Sequence, residues 1–503
     1  MLKKLARLSL LSLLIPSAFA VHAAPVSPQA QETARYALAT YPGPLIASLA
    51  KMVSYYTVAD PAVPFADNPQ HTGFKRYLAQ EAQRLGFDFH DHGHVVIIGL
   101  GSGSERVGVI THGDVQPVNP AKWARSPFEL DRTSEPGKLL GRGTEDDKGP
   151  IATALYAMKA IQDKQVPLNK RIELYVYMAE ESDWEPLKQF LKTHTPPQVN
   201  ITIDAEYPVV TAEKGYGSIQ LALPPRTAMP AAGGAVLKSL TGGFFASQIP
   251  EDATAVIERA PAALEAAIRA RAQQQKGMRY TFTRAGDALT VAALGVSAHS
   301  SKPEDGVNAI SMLADALAVQ PWQGTQAADM LSFLNELVGT GIYGERFGQI
   351  AYRDGFMGPM TVAPTVLKQN GGALELNINL RRPQGKTAAE LQQQVMAAFN
   401  GWKARRQVPA TLQAQIGEPW LQTRAPQIPT LLSVFEHYTG IANPQPVAIG
   451  GGTNSRLFPN AVSFGPAMPH KVYTGHSEHE FITEQQLLLN LQMYTAVLIE
   501  LAK

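Results

Sequence analysis

The chain has 503 residues, a formal net charge of +1 and no cysteine. This length exceeds what one hydrophobic core usually organises, so we expect two domains. The balanced charge argues against nucleic acid or an anionic membrane surface as a partner and indicates a small substrate. Without cysteine, disulfides and thiolate ligands are excluded, so any metal site must consist of His, Asp and Glu side chains.

Residues 1–24 have the pattern of a secretory signal peptide. Basic side chains precede an apolar run at residues 8–15, and small residues follow this run at two possible cleavage points. The run is too short to serve as a stable membrane anchor. We therefore predict that the signal is removed and that the protein is periplasmic or secreted.

Helical periodicity follows the signal, and then three histidines alternate around a glycine. We predict helices at about residues 31–41, 44–56 and 71–85. His90, His92 and His94 resemble a metal site by their spacing, but alternation around Gly93 is more typical of a hairpin with one polar face. We interpret these histidines as surface residues.

The next two segments carry side chains suited to a metal site. An apolar strand at residues 106–111 runs into His112 and Asp114, and a carboxylate at this spacing can fix one ring nitrogen while the other binds metal. The glycine-rich loop at 141–149 lacks the ending of a phosphate-binding loop and contains three acids, including Asp146. We interpret it as a metal-binding loop that leads into a helix ending near residue 163.

Two further apolar strands end in acids. Residues 171–179 lead into Glu180 and Glu181, and residues 199–203 lead into Asp204. The carboxyl ends of parallel strands meet at one edge of a sheet, where open α/β sheets bind their ligands. We therefore expect these acids to converge, with bound cations offsetting their buried charge.

The pattern changes at about residue 213, so we predict a second, α+β domain spanning residues 213–422. In it, a strand at 289–296 precedes His299, and an alternating strand at 373–380 ends at Arg381, before a helix from about 387.

The chain then returns with a helix near 427–439, a glycine turn at 450–452, the segment containing His476, and a final helix at about 483–502. The first domain is therefore discontinuous, comprising residues 25–212 and 423–503. The predicted fold class is α/β, with a mostly parallel sheet flanked by helices and an inserted α+β domain.

Taken in order, these motifs resemble the binuclear metallopeptidases of the glutamate carboxypeptidase and aminoacylase superfamily. Within that superfamily the chain is similar to the bacterial dipeptidase branch, relatives of carnosinase. The resemblance covers most of the mature chain and rests on His112-x-Asp114, Gly141-x-Gly143-x-x-Asp146-x-Lys148-Gly149, Glu180-Glu181, Asp204-Ala205-Glu206-Tyr207-Pro208, Arg381-x-Pro383 and His476-x-x-x-Glu480.

The resemblance implies two divalent ions, zinc by preference, with manganese or cobalt as alternatives. Asp146 would bridge both ions, and the peptide bond after it would be cis. Asp114 would hold the ring of His112. One ion would be completed by Glu181 and His476, and the other by His112 and Asp204.

It also implies catalytic roles. Glu180 would be the general base for a metal-activated water, and His299, from an inserted domain acting as a lid, would stabilise the oxyanion. Arg381 would bind the substrate's C-terminal carboxylate. Gly451 would let a backbone group approach the same end, and Ser247 stands where related dipeptidases carry a substrate-binding Asn.

One histidine departs from the family pattern. His479 occupies a position usually filled by Asn, and we interpret it as structural because both ion sites are already complete.

The expected function is an exported, monomeric metallo-dipeptidase whose substrate is a small peptide. The first alternative is an N-acyl-amino-acid amidohydrolase, which would use the same metal centre on a blocked amine. The second is a periplasmic binding protein that keeps the fold without the chemistry.

Overall fold

A computed structural model describes residues 25–226 and 234–503. The predicted signal peptide lies outside the described residues. Within those residues no helix combines the length and apolar character needed to cross a membrane.

Eleven α-helices occur in the described residues. Several begin earlier than their periodicity predicts, because proline is favourable in a helix's first turn, as at Pro28 and Pro42. The helices are α1 (Pro28–Thr40), α2 (Pro42–Val53), α3 (Pro69–Leu85), α4 (Lys148–Asp163), α5 (Glu185–Thr193), α6 (Ala262–Ala272), α7 (Ala309–Ala316), α8 (Gln326–Phe333), α9 (Ala388–Arg406), α10 (Ile428–Thr439) and α11 (Glu484–Ala502).

The strands of the same residues are β1 (Asp88–Asp91), β2 (Val95–Leu100), β3 (Arg106–His112), β4 (Lys138–Leu140), β5 (Arg171–Tyr177), β6 (Val199–Thr202), β7 (Ala205–Glu206), β8 (Val210–Glu213), β9 (Gly215–Leu223), β10 (Val236–Gly242), β11 (Gln248–Ile249), β12 (Asp252–Glu258), β13 (Arg279–Ala285), β14 (Ala288–Leu294), β15 (Ala298–His299), β16 (Arg353–Asp354), β17 (Gly358–Pro359), β18 (Thr361–Asn370), β19 (Ala373–Arg382), β20 (Thr411–Ile416), β21 (Trp420–Leu421), β22 (Val447–Ile449), β23 (Ala461–Ser463), β24 (Pro466–Ala467) and β25 (Phe481–Thr483).

The first large sheet has the order β1-β2-β5-β3-β6-β23-β8-β21, with β22 beside β8. Its four central strands, β5, β3, β6 and β23, run parallel, whereas β2 and β8 flank them antiparallel. The central strands are nearly continuous apolar runs, as expected for strands buried on both faces. The sheet is therefore parallel where the predicted site lies and mostly antiparallel towards its edges, where only β22 pairs in parallel, with β8.

Successive side chains of these strands point to opposite faces of the sheet. On one face Val107, Val109 and Leu174 join a large core with α1, α2, α4, α10 and α11. On the other face Ile110 and Tyr175 pack in a smaller cluster. Helices on one face and a second apolar layer on the other fix the position of the strand ends.

The second large sheet has the order β13-β14-β12-β10-β18-β19-β9-β20 and is antiparallel throughout. It lies between Gly215 and Ile416 in sequence and packs with α6, α7, α8 and α9 in a hydrophobic core of its own. The predicted α/β fold with an inserted α+β domain is thus confirmed. The chain rejoins the first sheet at β21, and the exact boundaries at 213 and 422 stay a prediction.

Candidate functional site

The predicted metal ligands lie at the carboxyl edge of the parallel strands. His112 is the last residue of β3, Glu180 and Glu181 follow β5, and Asp204 follows β6. Because β3 pairs in parallel with both β5 and β6, the three strand ends lie side by side. The sheet therefore brings together side chains that are far apart in sequence.

Asp146 lies between two histidines at this edge. One carboxylate oxygen is 2.9 Å from Nε2 of His112, and the other is 3.2 Å from Nε2 of His476. The loop that carries Asp146 ends at α4, and the peptide bond between Asp146 and Asp147 is cis, as the resemblance implies. This arrangement suits a carboxylate shared by two ions.

The ligand atoms form two groups, and within each group all of them lie within 4.8 Å of one another. We call them the first group, consisting of His112, Asp146 and Asp204, and the second group, consisting of Asp146, Glu181 and His476. In the second group Glu181 Oε1 lies 2.7 Å from His476 Nε2. These are the two ligand sets that the resemblance implies.

The electrostatics of the two groups favour cations. Burial raises the pKa of Asp204 to about 7, although His112 opposes this shift. Burial alone would lower the pKa of His476, but the carboxylates of Glu181 and Asp146 raise it to about 10. The shift at His476 reflects the negative charge of the surrounding carboxylates, and a mixed His and carboxylate donor set suits zinc, manganese or cobalt. The residues present therefore fit divalent ions.

Asp114 contacts the ring of His112 mainly through its backbone, whereas the prediction gave this contact to its carboxylate. The contact of His112 Nδ1 with the backbone oxygen of Asp114 is 3.0 Å, whereas the carboxylate is 3.5 Å away. The carboxylate instead accepts hydrogen bonds from the backbone N–H groups of Glu180 (2.9 Å) and Glu181 (3.0 Å). Asp114 therefore fixes the turn with both glutamates, and its main chain orients the histidine.

Two adjoining cavities meet at the ligand groups. Both are lined by Glu180, Glu181, His299, Gly452 and His476. The small cavity, of about 70 Å³, also contacts Asp146, Asp204, Glu206, Lys302 and Tyr473. The large cavity, of about 590 Å³, also contacts Trp184, Lys214, Tyr216, Ser247, Arg381 and Arg456.

Glu180 lies at the junction of the cavities and belongs to neither ligand group. Burial and then the negative charge of Asp204 raise its pKa well above the usual range for a glutamate. The side-chain N–H of Asn454 lies 3.4 Å from Oε1 of Glu180. Glu180 is thus a carboxyl group beside the ligands that is free to exchange a proton.

His299 faces the same junction from the inserted domain. The backbone N–H of Ser301 donates to Nδ1 of His299 at 3.1 Å. Since a backbone N–H can only donate, Nδ1 is the acceptor and the neutral ring carries its proton on Nε2. Burial, with the nearby His476 and Arg381, lowers the pKa of His299 well below its usual value. A neutral ring with a free N–H is suited to stabilise developing negative charge.

Arg381 is buried at the end of β19 without an acidic partner. Its guanidinium donates to Asn379, at 2.9 Å, and lies near Ser300 and the carbonyl of Gly450. Among the described residues, no carboxylate lies within ion-pair distance of Arg381. Burial lowers its pKa to about 10, which leaves it a cation facing the large cavity.

Ser247 lines the large cavity, and Gly451 lines the small one. The backbone carbonyl of Ser247 lies 3.2 Å from Nδ1 of His476, so this residue orients a ligand through its main chain. A Cβ at Gly451 would meet only ordinary contacts, whereas one at Gly450 would lie 2.3 Å from the carbonyl oxygen of Ser301. Gly450 is therefore the glycine that the packing requires, and the approach of a backbone group to the substrate at Gly451 stays a prediction.

Three supporting residues were not predicted. Tyr473 donates to Asp146 at 2.7 Å, and Gln116 donates to Glu181 at 2.9 Å. Glu480 accepts hydrogen bonds from Arg142 and from the backbone N–H groups of Gly143, Glu145 and Asp146. The motif His476-x-x-x-Glu480 contains Glu480. Its role is visible only in the structure, because the backbone N–H groups that it binds come together when the loop folds.

The other histidines lie outside both ligand groups. His90 and His92 are exposed on the hairpin of β1 and β2, as predicted, whereas His94 is half-buried and stacks on Phe65. His479 is exposed and pairs with Glu135. These placements agree with structural roles.

Curated relatives cover most of the chain. A Beta-Ala-Xaa dipeptidase of Lactobacillus delbrueckii subsp. lactis is 29% identical over 429 residues, which is 84% of this chain and 87% of that protein. The putative dipeptidase YtjP of Bacillus subtilis (strain 168) is 29% identical over 464 residues, covering 89% of this chain and 94% of the relative.

Solved structures share the fold. Human carnosine dipeptidase 1 superposes with a TM-score of 0.59 at 14% identity, covering 94% of this chain and 99% of the other. The di-peptidase Dug1p of Saccharomyces cerevisiae gives a TM-score of 0.58 at 13% identity, covering 93% and 98%. The model of peptidase family M20/M25/M40 matches residues 108–500. The chain therefore belongs to peptidase family M20/M25/M40 and is a metal-dependent peptide hydrolase.

Proposed function

We propose that this protein is a metallo-dipeptidase that holds two divalent ions, most favourably zinc, in its first and second ligand groups. When bound, such ions lower the pKa of water and polarise a peptide carbonyl. Two similar proteins are named as dipeptidases, and this supports dipeptides as the substrate class.

The observation that carries the proposal is the unpaired guanidinium of Arg381. A buried cation without an acidic partner is unfavourable in the free protein, and a substrate carboxylate in the large cavity would supply the missing charge. Arg381 shares this cavity with Glu180, His299 and members of the second ligand group. A C-terminal carboxylate at Arg381 is therefore close to the scissile bond, which is the geometry that a dipeptide requires.

Each remaining group has one task. Glu180 takes a proton from the attacking water and passes it to the leaving amine. Nε2–H of His299 donates to the carbonyl oxygen as negative charge develops there. We propose that the inserted domain acts as a lid that brings His299 and Arg381 to the substrate.

The test compares Ala-Ala, its C-terminal amide and N-acetyl-Ala-Ala as substrates of the zinc-loaded protein, with a chelator as control. We expect turnover of Ala-Ala that the chelator abolishes, and slower turnover of the other two compounds. Arg381→Met should slow hydrolysis of Ala-Ala but leave hydrolysis of the amide almost unchanged. Preference for N-acetyl-Ala-Ala would instead assign the protein as an N-acyl-amino-acid amidohydrolase.

We also propose that the enzyme is exported and acts as a monomer. The support for export is the sequence pattern of residues 1–24. Mass spectrometry of the protein from a periplasmic fraction should find a mature N-terminus near residue 21 or 24, and retention of Met1 there would contradict export. Light scattering of the purified enzyme gives its oligomeric state.

A further inference from the structure

An ion pair connects the two domains at the small cavity. Nζ of Lys302 lies 2.8 Å from Oε1 of Glu206, and each side chain is 21% exposed. Lys302 follows β15 of the inserted domain, and Glu206 is the last residue of β7, two residues after Asp204. Both side chains line the small cavity, and neither belongs to a ligand group.

The two cavities define the direction of a bound substrate. Arg381 lies in the large cavity, whereas Glu206 and Lys302 lie in the small one. Glu180 and His299, which act on the scissile bond in the proposed function, line both cavities. A peptide with its carboxylate at Arg381 therefore directs its N-terminal residue into the small cavity.

The small cavity has much less room than the large one. Its volume is about 70 Å³, against about 590 Å³ for the large cavity. Asp146, Glu181, Asp204 and His476 line this same cavity, so bound ions would reduce the available space further.

We propose that the Lys302–Glu206 ion pair is a specificity determinant that closes the small cavity one residue before the scissile bond. The inference rests on the proposed function and names the feature that limits the substrate to a dipeptide. An additional N-terminal residue or an N-acyl group would have to displace the pair.

A substitution at Lys302 can remove the ion pair and keep the turn that supports His299. The backbone N–H of Lys302 donates to the carbonyl of His299 at 3.0 Å, and a side-chain substitution keeps this hydrogen bond. Damage to the reaction centre would slow all substrates alike, whereas an opened cavity would favour longer substrates selectively. The ratio of two substrates therefore separates a specificity role from a structural one.

The experiment measures kcat/KM for Ala-Ala and for Ala-Ala-Ala with an isotopic label in its C-terminal residue, followed as release of that alanine. In zinc-loaded Lys302→Ala we expect the tripeptide-to-dipeptide ratio to rise at least about tenfold over wild type. Glu206→Gln should raise it less, because the side chain keeps its volume while the ion pair is lost.

Lys122→Ala is the matched control. Nζ of Lys122 lies 2.6 Å from Oε1 of Glu251, so this pair also connects the two domains, and its side chains are 20% and 18% exposed. Lys122 is among the lining residues of neither cavity, so the ratio should stay at the wild-type value.

An unchanged ratio in Lys302→Ala, or a wild-type enzyme that cleaves both peptides equally well, would overturn the inference while leaving the dipeptidase assignment intact. A zinc-loaded wild-type enzyme without activity on Ala-Ala would contradict the proposed function, and the inference with it.

Discussion

The two ligand groups share Asp146 but differ in how the fold supports them. The first group takes His112 and Asp204 from the ends of adjacent parallel strands, so the first domain builds it alone. The second group takes His476, whose ring contacts the carbonyl of Ser247 in the inserted domain. The side chain of Gln248 also donates to the carbonyl of His476, at 2.8 Å.

This difference shows which part of the metal centre depends on the position of the inserted domain. A displacement of the segment with Ser247 and Gln248 would leave the first group intact but would release the contacts that orient His476. The second group is thus the one whose geometry depends on contacts with the inserted domain. The following predictions test this distinction, beginning with the change that affects both groups.

Asp146→Ala should have the largest effect, because it removes the ligand that both groups share. We expect bound zinc to fall from two equivalents to none and activity on Ala-Ala to drop by about 10⁴-fold or more. Elemental analysis after gel filtration measures the zinc, and circular dichroism checks the fold. Two retained equivalents of zinc would contradict the shared role.

Glu180→Gln should separate catalysis from metal binding. The residue lies outside both groups, so we expect two equivalents of zinc and a fall in kcat of about 10²–10⁴-fold, since an amide cannot accept the proton from water. The loss should be in kcat and hardly in KM. Full activity would rule out Glu180 as the general base, and loss of zinc would place it among the ligands.

Asp114→Asn should weaken the second group more than the first. The carboxylate holds the backbone N–H groups of Glu180 and Glu181, and an asparagine side chain has only one oxygen to accept them. The backbone carbonyl that contacts His112 stays in place. Calorimetric titration of the metal-free protein with zinc should show about 10–100-fold weaker binding of one ion. Equal weakening of both would remove the distinction between the groups.

Gln248→Ala should have the smallest effect, confined to the second group. Losing its hydrogen bond to the carbonyl of His476 should weaken one zinc site by about tenfold, the lower end of the range for groups that support a ligand. The control is Ser247→Ala, which should bind zinc normally because the contact of Ser247 uses its backbone. A raised KM in Ser247→Ala would instead support the substrate-binding role predicted for that side chain.

The strand-end ligands could be predicted from sequence for a physical reason. Buried parallel strands are continuous apolar runs, so the first charged residue after each run marks the sheet edge, as at His112, Glu180 and Asp204. His476 follows no such strand, and only the ordered resemblance identified it. The α/β class was predictable from the same runs, whereas the antiparallel flanks depend on pairings between distant segments.

The supporting contacts could not be predicted, because many of them use the main chain. The carbonyl of Ser247 and the backbone N–H groups held by Glu480 are present in every residue and leave no pattern in a sequence. In the run of three glycines, only the folded structure distinguishes Gly450, which packs against Ser301, from Gly451. Tyr473 shows its role only when its segment lies beside Asp146.

His476 and Glu480 lie close to the end of the 503-residue chain. Glu480 follows Asp146 by 334 residues, with the inserted domain between them, so the loop with Asp146 lacks its second histidine and the carboxylate that holds its backbone until that domain has been synthesised. A nascent chain that has not reached His476 has no assembled second ligand group, so this group forms only after the inserted domain and the segment that follows it have folded together.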